Sequence, residues 1–399
     1  MRASHDRPAR ILGLLVTATV ALSGLATTPA GAAASQDTWR VPAHATITIK
    51  GHGYGHGHGM SQYGAEGAAR QGLGYRQIAS FYYPGTTWGR SRGRVTVLIT
   101  EDTSDDLEVL PRAGLTVRDT AGGDPVSLPD NGALRWRVAV GSSGAARVAY
   151  KLKRWHGWAD LAGAGEFAAD GEPITLLTPS GPHAYRGRLR SADTPAGRIT
   201  VNDVSLENYV KGVVPLEMPA SWSTQAVRAQ AVAARTYAAY ERDHPHSDDY
   251  QLCDTTSCQV YGGHGAEQAA SNTAVDDTRG RVLLSDDEPA FTQFASSSGG
   301  WTAAGSVPYL PARQDPYDGW SGNPVHSWSV TLDDSDLERA WPAIGNLTRI
   351  AVTDRDGNGQ WGGRLVSLTL TGSRGRVVVS GDTFRSRLGL RSTWVTFTV

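Results

Sequence analysis

The chain has 399 residues, 47 of them Gly, with 38 basic side chains against 39 acidic ones and only two Cys. A hydrophobic content of 40% excludes a disordered chain, which combines low hydrophobicity with high net charge, and two Cys exclude a disulfide-stapled scaffold. The formal charge of -1 gives no electrostatic reason to expect nucleic acid as a partner, and the length suits about two or three domains.

Residues 1–34 have the three parts of a secretory signal peptide: basic Arg2, Arg7 and Arg10, an apolar run from Ile11 to Leu25, and small-residue cleavage patterns at Ala30, Ala32 and Ala34. The apolar run falls short of the ~20 residues that span a bilayer. The expectation is an exported chain with no membrane partner after cleavage.

Residues 35–90 hold a Gly-, His- and Tyr-rich block in which every second residue from Gly51 to Gly59 is Gly. At strand geometry the intervening His52, Tyr54, His56 and His58 share one face. With no carboxylate or Cys between them, hydrogen bonding and stacking on sugars suits them better than a metal. Residues 91–195 change to short alternating runs (RVTVLIT, LTVRDT, LRWRVAV, ARVAYKL) separated by turn clusters, the pattern of a β-rich accessory or scaffold region. Residues 196–399 contain one long Ala-rich helix over 223–240, placed for capping by Ser223, and a shorter helix near 265–277. A hairpin of RVLLS with AFTQFAS turns around Asp286 to Pro289, and C-terminal strands LVSLTLTG and RGRVVVSG follow. DRDGNG at 354–359 starts like a calcium loop, but its twelfth position is Leu365, so a tight turn is expected. The fold class is α+β with β dominant.

The chemistry concentrates in VSLENYVKGVVPLEMPASW, residues 204–222. Glu217 lies between Pro215 and Pro219 among Val213, Val214, Met218 and Trp222. Desolvation there raises a carboxyl pKa and makes it a usable general acid. Arg235, set among Ala residues of the long helix, is free to project into a cleft with Gln225 and Arg228. Cys253 and Cys258 in an exported chain are expected to form a local disulfide.

The run VSLENYVKGVVPLEMPASWSTQAVRAQAVAARTYAAY resembles the core of the SpoIID/LytB family (stage II sporulation protein D and its relatives), and the likeness continues through CDTTSCQVYGG, FTQFASSSGGWTAAG, PYLPARQDPYD, NPVHSW and FRSRLGLRST. The resemblance implies a secreted, wall-associated lytic transglycosylase that cuts peptidoglycan glycan strands, preferably peptide-stripped, and that needs no cofactor. Carried over position by position, it makes Glu217 and Arg235 catalytic and gives Gln259, Tyr261, Ser298, Gly299 and Gly300 to substrate binding. Its G-H-G-x-G-M-S-Q-[WY]-G-A motif falls on His56, Ser61 and Gln62. In the best-known members that motif follows the catalytic Glu; here it precedes it, which implies a permuted order with the block folded back beside Glu217. Some members bind zinc through a His and two Cys near this place, so a structural site of His246, Cys253 and Cys258 is the weaker alternative to the disulfide. Other readings are a non-enzymatic wall-binding protein or modifier of a wall amidase, since some relatives regulate other wall hydrolases, and a metal-dependent hydrolase using the block's histidines.

Overall fold

A computed structural model describes residues 37–140, 145–245 and 247–399. The leader expected over 1–34 and the candidate ligand His246 lie outside the described residues.

The helices are α1 (Gln62–Arg70), α2 (Tyr75–Tyr82), α3 (Leu206–Glu217), α4 (Thr224–Asp243), α5 (Ala269–Asp277), α6 (Asp334–Ala340) and α7 (Gly381–Arg387). They stand against many more strands, so the fold is β-rich α+β, as the sequence implies. The expected strands form at Arg94–Ile99, Thr116–Asp119, Arg135–Val140, Ala146–Lys151 and Gly197–Ser205. These strands divide between two sheets. Arg94–Ile99 and Gly197–Ser205 pair antiparallel in a seven-stranded sheet, while Ala146–Lys151 pairs with Arg135–Val140 in a six-stranded one. Along Arg94–Ile99 the alternate residues Val95, Val97 and Ile99 are essentially fully buried, the period-2 pattern of a sheet with one covered face.

Helix α4 is the centre of the first core. Ala226, Ala229, Ala231, Ala233, Ala234, Ala238 and Ala239 are all buried, and their small side chains let α1, α2, α3 and α5 approach it closely. Ser223 holds the N-cap position, yet its side chain makes no capping bond. Its Oγ donates instead to Glu66 Oε1 (3.1 Å), and its backbone N–H donates to Glu66 Oε2 (2.8 Å), which ties α4 to α1.

A second core combines the two ends of the described chain. Strand Thr46–His52 lies between Ser327–Asp333 and Val395–Thr398, antiparallel to both. Its Ile47 and Ile49 are fully buried with Leu337, Ile350, Leu368, Phe384 and Phe397. Thr38–Arg40 likewise adds to a sheet of Leu347–Arg355, Leu365–Gly372 and Gly375–Ser380. The early block is joined to later sequence twice more, through Met60–Ser61 beside Phe294–Ala295 and Thr87–Arg90 beside Arg281–Ser285.

One helix goes beyond the sequence reading, and two local expectations are corrected. The stretch before Glu217 is helical: Ser205 caps α3 by accepting from Asn208 N–H (3.3 Å), and Leu206, Tyr209, Val210, Val213 and Val214 form its buried face. RVLLS pairs with the two-residue strand Glu288–Pro289 on one side and Thr87–Arg90 on the other, and Phe294–Ala295 pairs with Met60–Ser61 rather than returning on RVLLS. The glycine block leaves strand geometry after His52, because Gly53, Gly55, Gly57 and Gly59 have φ of 76°, 108°, 83° and 66°. Its rings therefore do not line up on one strand face: Tyr54 and His56 line one cleft, while His52 turns to Gln360. DRDGNG is a turn, in which Asp356 Oδ1 accepts from the backbone N–H groups of Asn358 (3.1 Å) and Arg364 (3.0 Å).

Candidate functional site

Glu217 is the last residue of α3. The chain leaves the helix at Met218 in extended conformation (φ −140°, ψ 133°), and Pro219 prevents the helix from continuing. This places Glu217 at a rim, with Leu216 exposed (47%) on one side and Met218 buried (1%) on the other. Its carboxylate accepts from the Val260 backbone N–H at Oε1 (2.9 Å) and from Gln62 Nε2 at Oε2 (3.5 Å). Burial raises its pKa above the ordinary value, with the Val260 and Gln62 bonds opposing. A carboxyl held this way retains its proton further towards neutral pH than a solvated one.

The cleft beside it has a volume of about 600 Å³ and is lined by Tyr54, His56, Gln62, Tyr237, Phe294 and Arg385, among others. Among the described residues Glu217 is the only carboxylate on its wall. His56 has its pKa pushed down to about 4, by burial first and then by His58 and Arg385, against a hydrogen bond to the Phe294 backbone. Its Nδ1 accepts from the His58 N–H (2.9 Å), and the two rings stack 4.9 Å apart. The ring is therefore neutral at pH 7 with its proton on Nε2.

His56, Gln62 and Glu217, distant in sequence, thus share one cleft. The other expected site residues stand behind it. Gln259 is buried and its Oε1 accepts from Tyr209 O–H (3.2 Å), while Tyr261 is buried and donates to Asn202 Oδ1 (2.8 Å). These two anchors flank Val260 and aim its N–H at Glu217, so the motif acts through its backbone. Ser61 caps α1 by accepting from Gly64 N–H (3.0 Å) and donates to Asp318 Oδ1 (2.7 Å). Ser298 Oγ donates to Asp315 Oδ2 (2.8 Å), and the N–H groups of Ser298 and Gly299 donate to Asp318 (3.0 and 3.1 Å). Gly300 contributes its carbonyl to the Asp315 N–H (2.8 Å).

Sequence reading missed this buried carboxylate pair. Burial and the neighbouring Asp318 push Asp315 up to about 6. Asp318 is held below its ordinary value: burial works against ionisation, but bonds from His326, Ser61 and Ser297 outweigh it. His326 is correspondingly raised by its 2.8 Å bond to Asp318. The only sequence signal was two Asp three apart in PARQDPYD, among residues that otherwise read as a turn.

Arg235 does not reach the cleft. It is fully buried, with Nε and Nη2 forked onto Glu207 (3.1 and 2.8 Å) and further bonds to the carbonyls of Val275 (3.1 Å), Ala231 (3.3 Å) and Arg281 (3.4 Å). The small Ala neighbours that appeared to free it instead let α5 close over it. Cys253 and Cys258 are joined by a disulfide, which holds Thr256, Ser257 and Cys258 at the cleft wall and occupies both thiols proposed as zinc ligands.

Residues 196–284, which include Glu217, Arg235 and Val260, match the family model described as SpoIID, stage II sporulation protein. The amidase enhancer of Bacillus subtilis is 40% identical over 135 residues, 32% of this chain and 17% of that protein. Stage II sporulation protein D of Bacillus amyloliquefaciens is 28% identical over 217 residues, 48% of this chain and 60% of that protein. Its Bacillus subtilis counterpart is 27% identical over 223 residues, with the same coverage. The chain therefore spans less than two thirds of each of these relatives. The segment that supplies Glu217 and Val260 to the cleft is thus similar to the SpoIID family over residues 196–284.

Proposed function

We propose that the protein is an exported cell-wall enzyme that cleaves peptidoglycan glycan strands by lytic transglycosylation. The observation that carries this reading is a cleft with one carboxyl of raised pKa and, among the described residues, no second carboxylate on its wall. Glycosidases that use water or a covalent intermediate need two carboxyl groups about 5–9.5 Å apart. A single carboxyl suffices when the substrate supplies its own nucleophile. Glu217 gives its proton to the glycosidic oxygen as the bond to the anomeric carbon breaks. The resulting carboxylate then takes the proton from the same sugar's 6-hydroxyl, whose oxygen closes onto the anomeric carbon and forms an anhydro ring. The Val260 and Gln62 bonds stabilise the carboxylate between these two steps.

The test is digestion of purified, peptide-stripped glycan strands followed by mass spectrometry. Anhydro-sugar ends from the parent and none from Glu217→Gln are expected. Reducing ends carrying an added water, or equal cleavage by both proteins, overturn the reading.

The 40% identity to a protein named amidase enhancer favours one second reading, a wall-bound partner that raises the activity of a wall amidase. In that case Glu217→Gln leaves amidase stimulation unchanged while neither protein cleaves strands.

A further inference from the structure

Beyond Glu217 the cleft continues into an adjoining cavity of about 670 Å³ lined by Tyr54, Asp382, Arg385, Ser386 and Arg391, among others. Tyr54 and Arg385 belong to both, so a polymer lying along the groove passes between them. Tyr54 is 47% exposed, and its backbone is fixed by paired bonds with Ser297 (2.9 and 3.0 Å), leaving a held aromatic ring to stack on a sugar face.

Arg385 is the cation of this passage. It sits on α7, which is anchored by buried Phe384 stacked on Trp341 (5.6 Å) and edge-on to Phe397 (5.8 Å). Its own contacts use little of its capacity: Nε donates to the Leu390 carbonyl at 3.4 Å, and among the described residues it has no carboxylate partner, Asp382 of the same helix included. Arg391 is carried alongside by a bond from Gly55 N–H to its carbonyl (2.9 Å). A half-buried guanidinium with free donors has the geometry to take a carboxylate through two parallel bonds. Among the described residues on the Glu217 wall, Glu217 holds the only carboxyl group, and its bonds go to Val260 and Gln62 rather than to Arg385.

We infer that Arg385, assisted by Arg391, binds a carboxylate carried on the glycan itself, the lactyl group of a muramyl residue next to the one whose bond is cleaved. This rests on the glycan-strand reading above. A lactyl group bears a free carboxylate only where the peptide has been removed, so Arg385 would select stripped strands by charge rather than by size.

The experiment measures binding by calorimetry to the full chain carrying Glu217→Gln, with and without Arg385→Gln. The probes are a stripped glycan tetrasaccharide, the same compound with its lactyl carboxyls converted to methylamides, and a tetrasaccharide with its peptide stems. Arg385→Gln should weaken the stripped strand about tenfold, the scale of one solvent-accessible charge-assisted contact, and leave the methylamide unchanged. Arg385→Lys should recover part of the loss. Equal weakening of the stripped and methylamide strands, no effect on either, or a loss confined to the stem-bearing strand overturns the assignment. Strand cleavage by the unsubstituted chain is assayed separately: if no anhydro ends form, the transglycosylase reading falls while the binding comparison still decides Arg385.

Discussion

Replacing Arg235 separates a catalytic from a scaffolding role. The guanidinium is fully buried, and its principal partner Glu207 also accepts from the Gly280 N–H (2.8 Å). Arg235→Met roughly preserves the length of the side chain but leaves the Glu207 carboxylate inside without its cation and three carbonyls without their donor. Removing one partner of a buried ion pair costs about 3–5 kcal/mol, against a total stability of about 5–15 kcal/mol. Urea unfolding followed by far-ultraviolet circular dichroism should show a loss of that size. Glu207→Gln in the same chain should recover part of it, because the stranded charge is then gone. Unchanged stability in Arg235→Met together with loss of strand cleavage would refute the scaffold assignment and return Arg235 to the site.

Glu217→Gln should be more stable than its parent at pH 8 and equally stable at pH 4. The folded state raises the carboxyl above its ordinary 4.5, so it holds a proton that the unfolded chain has already released, and parental stability falls as pH rises through the folded value. Each unit of displacement is about 1.4 kcal/mol, and parallel thermal-melt profiles across pH would contradict this. Gly59→Ala should cost at least about 2 kcal/mol, because its φ is +66° and an added Cβ would lie 2.0 Å from the Gln293 carbonyl oxygen; a neutral denaturation result would show that the block can shift. Cys258→Ser opens a loop with a sequence separation of five and should cost about 2 kcal/mol by loop entropy, with a raised KM for strands because the cleft wall loosens. An unchanged KM would show that Thr256 and Ser257 do not touch substrate.

Glu217 was legible because its chemistry is local: two prolines and an apolar neighbourhood set both its position and its desolvation. The strands of residues 94–205 were legible for the same reason, since alternation is written residue by residue. Arg235 misled because a run of Ala reads the same whether it opens a helix face or lets another helix close upon it; only α5, some forty residues later, decides. Helix α3 was hidden by Pro215, although it falls in the last turn, and Ser205 followed by Leu206, Tyr209, Val210 and Val213 carried the cap and the period. The glycine block read as a strand by alternation, but alternating Gly equally permits the repeated positive φ that the later partners Ser297 and Gln293 select. The Asp315–Asp318 network was hidden because its burial depends on Ser61 and Tyr82, more than 200 residues earlier in the chain.

The strand Thr46–His52 held between Ser327–Asp333 and Val395–Thr398 has a consequence for assembly. Thr48 pairs with Thr398 across about 350 residues, so contact order is high and the entropy of closing that loop must be met before the pairing offsets it. His56 and Gln62 follow directly from this strand, and their alignment with Glu217 depends on its anchorage. A chain still emerging, or cut anywhere before Val395, lacks one of the two neighbours that hold the strand. The cleft is thus among the last features to form, and whatever chemistry Glu217 performs in it stays latent until the whole described chain has closed on itself.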